Sequence, residues 1–278
     1  MAAAFETTVL LRGEDTDGEI ALVRNTVSAG WGGPPLHHHA FDETFYVLDG
    51  ELTFQLGDEL AAAGPSALAF VAGDAVHTLA NRGNAAASYL LLCTPAGFER
   101  HFDRLAAEAA GVEPPPEAAG PVPETIVVGP QIGEREEDGP ARRIEPGAGR
   151  INVLLRGEHS GGRISVMDNR VGPRRPGPPL HRHDFDELFC VLDGELTFQL
   201  GDRRVVRRAG EIAFAPRRVA HTFANLGAGE ARTLIVCTPA GFERYFARLA
   251  AEQAGVAPPE WALGPTPPVT RLGPSIEA

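Results

Sequence analysis

The sequence predicts an all-β protein built from two tandem β-barrel (jelly-roll) domains, each followed by a short C-terminal helix. Three observations predict it. Sliding the chain against itself by 144 residues brings the two halves into register without a gap, so one unit is written twice. Within each copy, short apolar segments are bounded by Gly, Asp, Asn or Pro, the punctuation of β-strands. Each copy holds a single amphipathic helical pattern, and many short strands with one trailing helix suit a small barrel or jelly roll.

The repeat is densest where Pro34 to Asp58 meets Pro178 to Asp202, with 21 of 25 positions identical. It opens with Val9-Leu10-Leu11-Arg12-Gly13-Glu14, matched by residues 153–158, and closes with Cys93-Thr94-Pro95-Ala96-Gly97-Phe98-Glu99-Arg100, matched by residues 237–244. Residues 51–56, 88–93 and 232–237 read as strands. Thr94-Pro95 and Thr238-Pro239 supply an N-cap and first-turn pair for the helix. Its apolar face is Phe98, Phe102, Leu105 and Ala109 in the first copy, and Phe242, Phe246 and Leu249 in the second. The acidic run Glu134-Arg135-Glu136-Glu137-Asp138, then Gly139-Pro140 and Gly147-Ala148-Gly149, have linker chemistry, which divides the chain into domains 1–140 and 141–278. Duplication within one chain gives each barrel a partner, so the barrels are expected to pack together and the protein to be a monomer or a homodimer.

Composition narrows the function. With 278 residues, 43% hydrophobic and 22% charged, the chain fits one or two globular domains. No apolar run exceeds about six residues, against roughly 20 for a membrane-spanning helix, so no membrane association is expected. The first 19 residues lack a basic region and a long apolar core, and the expected location is cytoplasmic. Cys93, Cys190 and Cys237 are odd in number and lack CxxC spacing, which suits buried thiols packed in the core. All 25 basic residues are Arg, which excludes Schiff-base and lysine general-base mechanisms. A net charge of −12 disfavours nucleic acid as a partner. That charge is uneven, at −16 over residues 1–140 and +4 over residues 141–278. Arg203, Arg204, Arg207, Arg208, Arg217 and Arg218 of the second copy therefore stand as candidates to attract an anionic ligand.

The histidines carry the chemistry. His37, His39 and His77 recur as His181, His183 and His221, and Glu43 recurs as Glu187. Side chains two apart on an extended strand share a face, so His37 and His39 aim into one cavity, as do His181 and His183. His38 is Arg182 in the second copy and reads as a surface residue; His101 and His159 have no repeat partner and read as solvated. Three imidazoles and one carboxylate form a mixed N/O set suited to a divalent first-row metal, one per copy and up to two per chain. Such sets accept Fe, Mn, Ni, Co, Cu or Zn and leave positions open for water, substrate or dioxygen. Phe45 and Phe189 share strand parity with the glutamates and are expected in the pocket walls.

His37-x-His39-x-x-x-Glu43-x-x-x-x-x-x-Gly50, with its copy from His181 to Gly194, resembles the first cupin motif. Gly210, Pro216, His221 and Asn225 are spaced as in the second. The resemblance covers nearly the whole chain as a bicupin and implies two tandem cupin-type barrels. Two departures occur in the second motif: its Pro is Ala72 in the first copy, and its later Gly is Asp74 and Arg218. The Phe-x-Val-Leu-Asp-Gly-Glu-Leu-Thr-Phe-Gln-Leu-Gly-Asp and Thr-Pro-Ala-Gly-Phe-Glu-Arg segments are similar to quercetinase-like cupins.

That likeness implies a metal-dependent dioxygenase acting on a flavonol or similar enolisable aromatic, with dioxygen as co-substrate. His37, His39, His77, His181, His183 and His221 would hold metal, and Glu43 and Glu187 would serve as ligand and catalytic general base. Two alternatives use the same fold. One is non-oxidative isomerisation, cyclisation or decarboxylation of a small oxygenated or anionic molecule, and the other is a non-catalytic binding protein.

Overall fold

The computed structural model describes residues 5–133, 142–145 and 150–277. The chain divides into two compact units, Met1–Pro146 and Gly147–Ala278. The expected division between residues 140 and 141 lies outside the described residues. Arg142–Ile144, within the stretch read as linker, forms a strand parallel to Glu59–Ala63 of the first unit.

The first unit is two facing sheets. One contains β1 (Phe5–Leu11), β2 (Ala21–Val27), β4 (Asp42–Asp49), β7 (Leu68–Val71) and β9 (Ala87–Thr94), in the order β1-β2-β9-β4-β7. The other contains β3 (His37–His38), β5 (Leu52–Leu56), β6 (Glu59–Ala63), β8 (His77–Ala80), β10 (Ile126–Val127) and β11 (Arg142–Ile144), in the order β10-β3-β8-β5-β6-β11. Strands far apart in sequence are neighbours, as a jelly roll requires. Period-two alternation explains the core: Phe45 and Val47 of β4, Leu52 and Phe54 of β5 and Leu91 of β9 all turn into one buried cluster.

The second unit repeats this plan. Strands β12 (Ile151–Leu155), β13 (Ser165–Val171), β16 (Asp186–Asp193), β19 (Ile212–Ala215) and β21 (Ala231–Thr238) form one sheet, ordered β12-β13-β21-β16-β19. Strands β15 (His181–His183), β17 (Glu195–Leu200), β18 (Arg203–Arg208), β20 (His221–Asn225) and β22 (Val269–Arg271) form the other, ordered β18-β17-β20-β15-β22, with β14 (Arg175–Pro176) added beside β20. No helix among the described residues is long and apolar enough to cross a membrane.

Helices α1 (Glu99–Ala110) and α2 (Glu243–Ala254) begin four residues later than the Thr-Pro pairs suggested. Thr94 does not cap: its buried Oγ1 has no hydrogen-bond partner. Gly97 and Gly241, at φ 128° and 130°, turn the chain first. Glu99 and Glu243 then fasten the turn. Glu99 accepts the Gly97 N–H at 2.6 Å and the Gly13 N–H at 3.1 Å, and Glu243 does the same for Gly241 and Gly157. Phe98, Phe102 and Leu105 pack on the core, while Ala109 has rotated into solvent.

Candidate metal centres

Each unit brings its three histidines and its glutamate to one point. His37 lies directly opposite His77 across the β3–β8 pair, and His181 lies opposite His221 across β15–β20. His39 and His183 follow two residues on from His37 and His181. The glutamates come from the facing sheet, on β4 and β16, so each site lies between the two sheets. All eight side chains are buried, and the donor atoms of each set lie within 4.8 Å of one another.

Backbone carbonyls fix every imidazole. His37, His77, His181 and His221 each present Nδ1 to the carbonyl oxygen two residues earlier, at 2.7, 2.8, 2.8 and 2.9 Å. His39 and His183 present theirs to the carbonyl two residues later, at 2.9 and 2.8 Å. A carbonyl only accepts, so Nδ1 carries a proton and Nε2 faces inward, where it offers a lone pair once it holds no proton of its own.

That geometry fits a cation. His183 Nε2 stands 3.1 Å from His221 Nε2, about the separation of two adjacent ligands each ~2.1 Å from one ion. His39 Nε2 is buried without a hydrogen-bond partner, 3.3 Å from Glu43 Oε2. Glu43 Oε2 lies 2.9 Å from His77 Nε2, and Glu187 Oε2 lies 2.8 Å from His221 and 3.0 Å from His183. These are two buried His3Glu metal-binding sites, up to two divalent ions per chain.

Electrostatics agree. Burial pushes the Glu43 and Glu187 carboxyls up, but the neighbouring imidazoles outweigh it and hold both at about 2. Burial pulls His77 and His221 down, yet the glutamates raise both above the ordinary value. Burial lowers His37 and His181.

Phe41 and Phe185 were not singled out in the sequence. Phe41 stacks flat on His39 with ring centroids 3.6 Å apart, and Phe185 on His183 at 3.5 Å. Behind them stand Phe98 and Phe242 at the start of the helices, at 4.8 and 5.0 Å. The same phenylalanine therefore supports the imidazole by its ring and by its carbonyl. Its signal was available in its recurrence two residues after the second histidine of each copy. Asp42 and Asp186, also repeated, are buried and accept the N–H groups of Gly73 and Arg217, which ties down the loop before His77 and His221.

Other expectations meet different outcomes. Cys93 and Cys237 are buried unpaired thiols beside the glutamates, with Cys237 Sγ 3.9 Å from Glu187 Oε1; burial raises both, and raises Cys190 to about 12. His101 is not simply solvated: it is half-buried, stacked on Phe98 at 5.1 Å, and lowered by burial. Its repeat counterpart Tyr245 stacks on Phe242 in the same way, at 5.2 Å. Phe45 lies in the first barrel's core, and Phe189 lines a cavity in the second.

That cavity measures about 1040 Å³ and reaches His181 and Glu187. Phe223, Phe242 and Phe246 continue its wall. None of the six arginines proposed as anion attractors borders it. Arg203, Arg204, Arg207 and Arg208 lie on β18, at the sheet edge, and Arg217 and Arg218 pair with Asp186 and Asp184. Arg150, Arg170, Arg175 and Arg271 border it instead.

A family model described as Cupin domain matches residues 23–93 and 169–237, once in each barrel and over half of the chain. Among solved structures, a Bacillus subtilis oxalate decarboxylase is 15% identical with a TM-score of 0.61, over 98% of this chain and 86% of that one. A Lactobacillus farciminis oxalate decarboxylase, solved as a formate complex, is 15% identical with a TM-score of 0.61, over 95% and 92%. At that identity the likeness is one of fold. A curated endoribonuclease YbeY from Myxococcus xanthus is 40% identical over 62 residues, and the match spans 21% of that protein and 22% of this chain.

Proposed function

From the premise that this chain belongs to the cupin superfamily as a bicupin, we propose that it is a metal-dependent dioxygenase acting on an enolisable aromatic molecule such as a flavonol. The observation that carries this reading is the cavity of about 1040 Å³ with His181 and Glu187 in its wall. Its size is at the upper end of small-molecule pockets, and Phe189, Phe223, Phe242 and Phe246 give it aromatic walls. A multi-ring substrate fills such a space, whereas a two-carbon diacid leaves most of it as water.

His181, His183, His221 and Glu187 would hold the ion in this barrel, and His37, His39, His77 and Glu43 in the other. When bound, a first-row divalent metal supplies Lewis acidity toward a substrate oxygen and, if redox-active, electron exchange with dioxygen. The phenylalanines stack on the substrate rings and exclude water. Glu187, held ionised beside its imidazoles, would accept the proton of the substrate hydroxyl. Glu43 has the same surroundings and is proposed for the same role in the first barrel.

The test is oxygen uptake by protein loaded in turn with Fe, Mn, Ni, Co, Cu or Zn, with flavonols as substrates. We expect one dioxygen consumed per substrate, and a loss of at least about 100-fold in turnover when Glu43→Gln and Glu187→Gln are combined. Product formation without dioxygen would replace this reading by a non-oxidative decarboxylase, isomerase or cyclase. The arginines bordering the cavity favour that alternative for a carboxylate substrate. Saturable binding with no product under any metal or gas would leave a binding protein.

A further inference from the structure

The two barrels share their donor sets and differ at the approach to them. In the second, four arginines border the cavity, from both sheets. Arg170 lies on β13, and its N–H donates to the carbonyl of Arg150 at 2.8 Å. Arg175 lies on β14 beside β20, the strand of His221, and Arg271 on β22 directly opposite His181. Arg170 pairs with Glu230 at 3.2 Å. Glu187 is the only acidic residue among those lining the cavity. The charged edge is cationic and the wall is phenylalanine.

At the repeat offset of 144 these arginines correspond to Glu6, Thr26, Trp31 and Val127. The first barrel has no cation at any of the four positions and an acid at one. Trp31, in place of Arg175, packs against the first barrel's core and stacks on Phe5 at 5.8 Å, which in turn stacks on Phe102 at 6.1 Å. Phe5 has Gly149 as its counterpart. At the four arginine positions the second copy is cationic, and the first is acidic, polar or apolar.

We propose that the barrels have divided their ligands, and that the second takes an aromatic carboxylate, rings against Phe189, Phe223, Phe242 and Phe246, carboxylate among Arg150, Arg170, Arg175 and Arg271. Guanidinium groups suit this task because they remain charged and grip a carboxylate through two parallel N–H donors. This rests on the reading of that cavity as the substrate site and specifies what enters it.

The test compares 3-hydroxy-2-naphthoate with 2-naphthol, which keeps the rings and hydroxyl and lacks the carboxylate. Binding to the zinc-loaded full chain is followed by calorimetry at low and moderate salt. We expect one naphthoate per chain, at least tenfold tighter than naphthol, with affinity falling as salt rises. Arg175→Gln with Arg271→Gln should weaken naphthoate at least tenfold and leave naphthol unchanged, with metal content intact. Both arginines are exposed, so the fold survives their replacement. Equal affinity for the two compounds, two naphthoates per chain, or unchanged binding by the double variant would overturn the proposal. Arginine-dependent binding without turnover would leave it standing and defeat the enzyme reading. Flavonol oxygenation with arginine-independent naphthoate binding would do the reverse.

Discussion

A histidine becomes a metal ligand when something else holds its second nitrogen, and in both barrels the backbone does so. His77→Ala and His221→Ala should each remove the ion from their own barrel and leave the other filled, so elemental analysis should fall from about two ions per chain to one. If both variants retain two, the ligand assignment fails. Phe185→Ala removes the ring stacked on His183 while keeping the carbonyl that orients it. We expect a 10- to 100-fold loss of metal affinity in the second barrel, the usual cost of losing a ligand's support. It should also lower stability by about 3–5 kcal/mol, as for deletion of a buried phenylalanine. Chelator competition and chemical denaturation measure the two. The donor set was legible in the sequence because all four residues recur together at one offset. The ring stacks and Nδ1–carbonyl contacts were not, because they depend on how the chain turns beside each histidine.

At the scale of elements, the helix start shows why local signals misplace a boundary. Thr-Pro is a good beginning for an isolated helix, but Thr94 ends strand β9, and the chain must turn at Gly97 before it can coil. The anchor is a distant contact: buried Glu99 accepts N–H groups from Gly97 and from Gly13. Glu99→Ala should strand both donors and cost about 2–6 kcal/mol, at 1–3 for each unsatisfied group, visible as a lower thermal midpoint. An unchanged midpoint would mean that water replaces the carboxylate. The loop before His77 adds a second case. Asp74 sits at φ 65°, in the left-handed region where the motif has glycine, and its N–H donates to the His39 carbonyl at 2.6 Å. Asp74→Gly should keep that bond and gain about 0.5–1 kcal/mol by relieving the backbone. A loss of stability would show that the aspartate side chain contributes more than its conformation costs.

For the molecule as a whole, two buried carboxylate–imidazole clusters make stability depend on pH and metal together. Glu43 and Glu187 fall from the ordinary 4.5 to about 2 on folding, so their contribution is present above pH 4.5 and is lost as pH drops toward 2. His77 and His221 are raised above 6.5, so theirs is complete below pH 6.5 and is lost as pH rises through the raised values. The metal-free protein should therefore be most stable between about pH 4.5 and 6.5 as far as these groups decide. Metal competes with the protons on His77 and His221, so its stabilising effect should be larger at pH 8 than at pH 5.5. Differential scanning calorimetry with and without metal gives both curves, and a metal-induced shift that does not grow with pH would contradict the assignment.

The sequence by itself determined the duplication, the all-β architecture and the eight side chains that converge on two points, because repetition and period-two alternation are properties of the chain read in order. Tertiary structure alone decided which arginines meet the cavity. The clustered arginines of Arg203–Arg208 are conspicuous in sequence but lie on an edge strand, whereas Arg150, Arg170, Arg175 and Arg271 are scattered over more than a hundred residues and come together around one cavity. Charge acts through distance in space, and a jelly roll makes neighbours of strands far apart along the chain.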